Sequence, residues 1–275
     1  MNAAPLTERF NVRRYGSQGP LLLFGHGFCT DSHVFKHQVD VLSQDHQVIT
    51  YDLAGFGQAD PALFDPARHH RLEGYAEDLV ALLDELDLQD VTLIGASMSA
   101  VVSLLASLAC PARIRALVLI CASPRYLNDA GYTGGFGRAE VDAFYESIEA
   151  FEAWSSGLAD ALVGPSSVAL RETLERVRRV APEVVRTVAR AIFESDARAL
   201  LPRCTHPVLL VHSEFDSMVP ESVERYLTRN LQHARLVKIP GVGHLPHRTQ
   251  PELFNKALKA FVREVSGAAP ALTFA

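Results

Sequence analysis

"LIGASMSAVVSLL", residues 93–105, runs from an unbroken apolar segment through a single serine into a helical pattern. Short continuous apolar runs suit strands covered on both faces of a parallel sheet. Apolar positions at three- and four-residue steps suit a buried helix face. Ser97 therefore stands at a tight strand-to-helix turn. Such a turn pushes the serine Oγ out beyond the carboxyl edge of the sheet, beside the free N–H groups that open the helix. Small residues must flank it, because helix and strand approach closely. Gly95 and Ala96 meet that need, and Ser99 stands where the common G-x-S-x-G pattern has its second glycine. A serine that merely caps a helix leaves the same local pattern, so the turn alone does not define a chemistry.

Similar apolar runs recur along the chain: "PLLLFGHG" (20–27), "QVITYDL" (47–53), "ALVLICA" (116–122), "PVLLVHS" (207–213) and "RLVKIPG" (235–241). "RFNVRRY" (9–15) alternates instead, as an early antiparallel strand does. Amphipathic segments lie between the runs. In 72–88, Leu72, Tyr75, Leu79, Leu82, Leu83 and Leu86 form one stripe, and in 249–265 Leu253, Ala257, Leu258 and Phe261 form another. Strands alternating with helices predict an α/β fold, a mostly parallel sheet flanked by helices. Residues 124–196 break the rhythm. They hold no convincing strand, and helical patterns cover 139–152, 167–180 and 182–195, punctuated by Pro165 and Pro182. The expected organisation is a core in two parts, 1–123 and 197–275, with an inserted helical cap at 124–196. The tail "SGAAPALTFA" is expected to fray.

A nucleophilic serine needs a base, and the base needs an orienting carboxylate. In chains built this way they follow in the order Ser, Asp or Glu, His. Asp216 comes just after the run 207–213, and His244 just after the run 235–241, where open α/β sheets build their sites. Glu214 and His247 are nearby rivals. The negative oxygen of an acyl-transfer intermediate also needs two preorganised N–H donors. The N–H of Met98, next after the nucleophile, is one candidate. The N–H of Phe28, in "FGHGFCTD" (24–31), is the other.

Composition narrows the alternatives. A net charge of −6 argues against a nucleic-acid partner. No apolar run reaches the ~18 residues of a membrane helix, and "MNAAPLTERFNVRR" lacks the apolar stretch of a secretion signal. The four cysteines, Cys29, Cys110, Cys121 and Cys204, form no C-x-x-C pair and read as free buried thiols. A cytoplasmic location is expected. His33 and His37 lie one turn apart with no third ligand, and read as a solvated helix face. His69 and His70 fall in an expected loop. "AGFGQAD" (54–60) and "GYTGGFG" (131–137) lack the strand-to-helix context of a nucleotide fingerprint. No cofactor or metal is expected.

"GHGFCTD", "GASMSA" and above all "SPRYLND" (123–129) resemble the branch of α/β-hydrolases that contains the bacterial stress-signalling protein RsbQ and the plant karrikin and strigolactone receptors. "GGF" (134–136), Trp154, "FESD" (193–196) and "GHLPH" (243–247) extend the resemblance over most of the chain. That branch carries serine where Ser99 stands. The resemblance implies four cap helices set as a V over an apolar pocket, lined here by Phe28, Tyr126, Phe136, Trp154, Leu158, Phe193 and Met218. Phe35 and Leu158 depart from the family's more frequent tryptophan and aromatic residue, and Ala96 from a bulkier polar one. Two functions follow as expectations. One is a serine hydrolase acting on a small apolar ester or lactone through an acyl-enzyme. The other is a small-molecule sensor with slow turnover that engages a protein partner in a signalling pathway. Carbon–carbon bond hydrolysis on the same triad is a third.

Overall fold

The computed structural model describes residues 4–164 and 168–267. Pro165 and the tail from 268 onward lie outside the described residues. Seven strands form one sheet: β1 Arg13–Tyr15, β2 Leu21–Gly25, β3 Gln47–Tyr51, β4 Val91–Ala96, β5 Ile114–Ile120, β6 Val208–Phe215 and β7 Ala234–Val242. Their order is β1-β3-β2-β4-β5-β6-β7. Only β1 runs antiparallel to its neighbour; every other pairing is parallel. The alternating run 9–15 forms a strand only over its last three residues, because Leu6–Arg9 is helical.

The helices are α1 Leu6–Arg9, α2 Lys36–Leu42, α3 Pro66–His69, α4 Leu72–Glu85, α5 Met98–Ala109, α6 Arg138–Ser147, α7 Phe151–Val163, α8 Val168–Val177, α9 Pro182–Phe193, α10 Glu221–Asn230, α11 Pro246–Thr249 and α12 Pro251–Val265. They cover both faces of the sheet. Val91 and Leu93 of β4 pack into one core with α4 and α5. Ile94 and Ala96, pointing the other way, pack into a second core with α2 and α12. This two-sided burial is why the central strands read as continuous apolar runs. β7 is the exception among these runs: it is an edge strand, and only Ile239 of it is buried. In α12 the stripe is rotated from the expected one. Leu253 is 43% exposed, and Phe254 is buried beside Leu258 and Phe261.

Among the described residues four α-helices lie between β5 and β6, the number the resemblance implies, where spacing alone gives three. The pattern 139–152 spans a break: α6 ends at Ser147 and α7 begins at Phe151. No proline or glycine marks that break, so spacing alone merges the two. α7 then runs to Val163 through residues with no predicted helix.

The chain leaves β2 toward β3 on one side and reaches β4 on the other. The strand order therefore reverses between β2 and β4, and the crevice at such a point is where open α/β sheets bind ligands. The loops after β2 and β4 are those that carry Phe28 and Ser97.

Candidate active site

Ser97 sits between β4 and α5 with φ 56° and ψ −119°. This is a strained conformation for a residue with a Cβ. The Ser97 N–H donates to Ile120 O of β5 at 2.8 Å, which pins the turn to the sheet. Gly95 makes the turn feasible, since a Cβ there would lie 2.1 Å from Ser99 O. The Ser97 side chain stands 2.9 Å from His244 Nε2.

His244 is buried in the loop after β7, and an α7 feature fixes its place. Its N–H donates to Ala161 O, and that of Leu245 to Leu162 O. These carbonyls belong to the last turn of α7, where helical acceptors lack intrahelical partners. Gly243 precedes at φ 109°, and a Cβ on it would press to 2.9 Å from Leu162 O. The His244 ring meets Asp216 Oδ2 through Nδ1 at 2.7 Å. The other Asp216 oxygen, Oδ1, accepts from the N–H groups of Met218 and Val219 at 2.8 and 3.2 Å. Burial raises the Asp216 pKa, but the His244 charge, its hydrogen bond and the Met218 N–H outweigh that and hold it below the usual carboxylate range. An ionised Asp216 keeps the His244 proton on Nδ1, which leaves Nε2 free to accept from the Ser97 hydroxyl.

The rivals fall away on position. Glu214 is exposed on β6. His247 is fully buried, stacks on Phe35 at 4.9 Å and finds no hydrogen-bond partner among the described residues. Burial, then the charge of Arg248, push its pKa down to about 3.

The loop after β2 lies against the nucleophile. A Cβ on Gly27 would sit 3.2 Å from Ser97 Cβ, so the Phe28 amide follows directly beside Ser97. Neither the Phe28 nor the Met98 amide donates within the described protein. Gly27 O is gripped by the Thr30 hydroxyl at 2.8 Å and by His26 Nδ1 at 2.9 Å. His26 Nε2 accepts from Leu53 N, so the proton sits on Nδ1. Burial keeps this ring neutral by lowering its pKa, against the pull of Asp52.

An apolar cavity of about 330 Å³ adjoins the site. Phe136, Trp154, Leu158, Phe193 and Met218 line it, five of the seven expected residues, and Phe144 joins them. Phe28 and Tyr126 do not line it but pack on its walls: Phe28 on Trp154, and Tyr126 on Phe136 and Phe193. The run 123–129 explains that placement. It folds back so that Phe136 N–H donates to Tyr126 O, while Asn128 Oδ1 accepts from Gly134 and Gly135. The Tyr126 hydroxyl and Trp154 Nε1 are buried without a hydrogen-bond partner among the described residues. Ser97 itself is 6% exposed and does not line the cavity.

Other candidates have structural roles. His69 is buried at the end of α3, not in a surface loop, and bonds Asp78 at 2.8 Å. His33 lies in a 3-10 turn, 2.8 Å from Glu172. All four cysteines are free, and Cys110 is only half-buried. Cys121, Asp216 and His244 are the only three potential metal ligands within 4.8 Å of one another among the described residues. His244 Nδ1 is already committed to Asp216, and burial pushes the Cys121 thiol pKa well up.

Sequence spacing did not reveal the ion cluster around Glu172 of α8. Its carboxylate takes His33, Lys36 at 3.1 Å, Arg176 and the nearly buried Arg248. Arg176 also pairs with Asp31. The cluster joins α8 to the loop after β2 and to the segment after His244. No helix among the described residues is long and apolar enough to cross a membrane.

Residues 22–257 match the sequence profile of the alpha/beta hydrolase family. The chain belongs to this family. Among the relatives of this alpha/beta hydrolase is a probable esterase of Oryza sativa subsp. japonica, 40% identical over 90% of this chain and 93% of that one. Karrikin insensitive 2 receptor CA of Petunia hybrida is 38% identical, over 90% and 93%. A solved hydrolase from Oleispira antarctica superposes with a TM-score of 0.91 at 31% identity, covering 94% of this alpha/beta hydrolase and 96% of its own chain. The branch resemblance read from "SPRYLND" agrees with these relatives.

Proposed function

We propose that this alpha/beta hydrolase cleaves small apolar esters or lactones through a covalent acyl-enzyme on Ser97. The observation that carries the reading is the hydrogen-bonded chain Ser97 Oγ, His244 Nε2, His244 Nδ1, Asp216 Oδ2, at 2.9 and 2.7 Å. Ser97 Oγ bonds to the substrate carbonyl carbon as its proton passes to His244 Nε2. The carbonyl oxygen, now negative, takes the Phe28 and Met98 N–H groups, each worth about 3 kcal/mol in the transition state. Collapse breaks the carbon–oxygen bond, and His244 returns the proton to the leaving oxygen. Water repeats the sequence and frees Ser97. Asp216 holds the imidazole in the right tautomer and stabilises its charged form.

Residues 124–196 act as the lid, and their apolar cavity selects the substrate. Burial of apolar substrate surface contributes roughly 25 cal/mol per Å². Trp154 lines the cavity and its Nε1 has no partner among the described residues, which favours a substrate with an oxygen acceptor, as esters and lactones offer. The four free thiols fit a cytoplasmic setting.

The receptor among the relatives favours a second reading: the ligand is sensed rather than merely consumed, and a protein partner reads the liganded lid. The test of the first reading is mass spectrometry after treatment with a serine-reactive phosphonate. Ser97 should carry the adduct, and Ser97→Ala should stay folded and unlabelled. Labelling of another serine would overturn it. Turnover of generic esters well below one per hour, with Ser97 still reactive, would favour the sensor.

A further inference from the structure

The second glycine of the common nucleophile-turn pattern is Ser99 here, and this serine is not idle. Ser99 is buried on the first turn of α5, two residues after the nucleophile. Its hydroxyl donates to His26 O at 2.5 Å. Its side chain also packs on the end of β2, where a Cβ on Gly25 would lie 3.1 Å from both its Cβ and its Oγ.

We infer that Ser99 is a positioning residue for the oxyanion site, a brace that ties the Phe28 donor to the Met98 donor. The inference rests on the hydrolase reading above. Met98 N–H opens α5, and Ser99 is the next residue on that helix. Phe28 N–H belongs to the loop after β2, on a different element. The two donors must hold a fixed separation around one oxygen, and nothing in either element alone sets it. Two successive peptide planes precede Phe28 N. The plane of the Gly27–Phe28 bond is gripped at Gly27 O by Thr30 and His26. A peptide is planar, so holding that carbonyl fixes the direction of the Phe28 N–H on its far side. The plane before it, His26–Gly27, is held at His26 O by Ser99 alone among the described side chains. Glycine at position 99 leaves that buried carbonyl without its partner and the loop without its tie to α5.

A brace of this kind acts on the transition state rather than on substrate binding. The test uses the full chain, p-nitrophenyl acetate as substrate and butylboronic acid, whose serine adduct places an oxygen in the oxyanion position. Ser99→Ala should lower kcat about tenfold with KM changed less than about twofold, since loosening one donor costs less than removing it. Butylboronic acid should lose affinity by the same factor as kcat/KM. Ser99→Gly, which restores the commoner sequence, should show the same losses. Wild-type kcat and boronate affinity in either variant would overturn the brace. So would a loss confined to KM. Failure of the wild type to place phosphonate on Ser97 is a separate result, and it sinks the hydrolase reading itself.

Discussion

Asp216→Asn reverses a proton, and the structure says which one. The two N–H groups of Met218 and Val219 both point at Oδ1 of residue 216. They demand an acceptor, so an asparagine must turn its carbonyl oxygen toward them. Its NH2 group then takes the place of Oδ2, facing His244 Nδ1 across 2.7 Å. An NH2 is a donor, so Nδ1 must accept and the ring proton moves to Nε2. That nitrogen now presents a hydrogen to Ser97 Oγ and cannot take one. The substitution is isosteric and adds no bulk, so the fold persists. The expected loss is about 10⁴-fold in kcat, the size seen when the wrong tautomer is imposed on such a triad. It corresponds to about 5.5 kcal/mol of transition-state free energy. The assay is steady-state release of p-nitrophenol, with the far-UV circular dichroism and melting temperature as folding controls. A folded Asp216→Asn protein that keeps more than about one per cent of wild-type kcat refutes the argument. So does a larger loss in Glu214→Gln.

Three further outcomes follow. Glu172 has its pKa pushed down to about 2: burial raises it, but Lys36, Arg248 and Arg176 outweigh that. Its stabilisation is therefore full above the ordinary value of 4.5 and lost as pH falls toward 2. Wild type should melt above Glu172→Gln at pH 7, with the gap closing in that window; a gap that persists at pH 2 contradicts the assignment. Esterase activity should survive exhaustive chelation, and activity lost to EDTA and restored by a divalent ion would show a metal in the chemistry. Trp154 is the only tryptophan and lines the cavity, so its emission should shift saturably with ligand. Phe136→Ala should weaken that binding while a small phosphonate still labels Ser97; emission blind to every substrate turned over would remove the cavity from the substrate path.

The sequence made the sheet readable, and it singled out Ser97, Asp216 and His244, whose side chains the structure brings together, because these signals are local. Continuous apolar runs mark strands buried on two faces, and each candidate group lies within a few residues of a strand end. What it hid depends on partners far along the chain. Ser99 meets a carbonyl 73 residues away, and Arg248 meets a carboxylate 76 residues away. The break between α6 and α7 carries no helix-breaking residue. Its evidence lies in which side chains meet the core, as only Val141 of α6 is fully buried. Leu253 and Phe254 are equally apolar neighbours, and only the packing of α12 on the sheet decides which turns inward.

Glu172 has a mechanical consequence. One carboxylate on α8 is shared by Lys36 and the His33 ring on the segment that follows Phe28 and by Arg248, four residues past His244. Arg176, one turn on, grips Asp31. Raising α8 from the core would strip these groups of their partners together. While it is seated, the segments that follow β2 and β7 are held against the same carboxylate. Once it is released, both segments lose that anchor at the same moment.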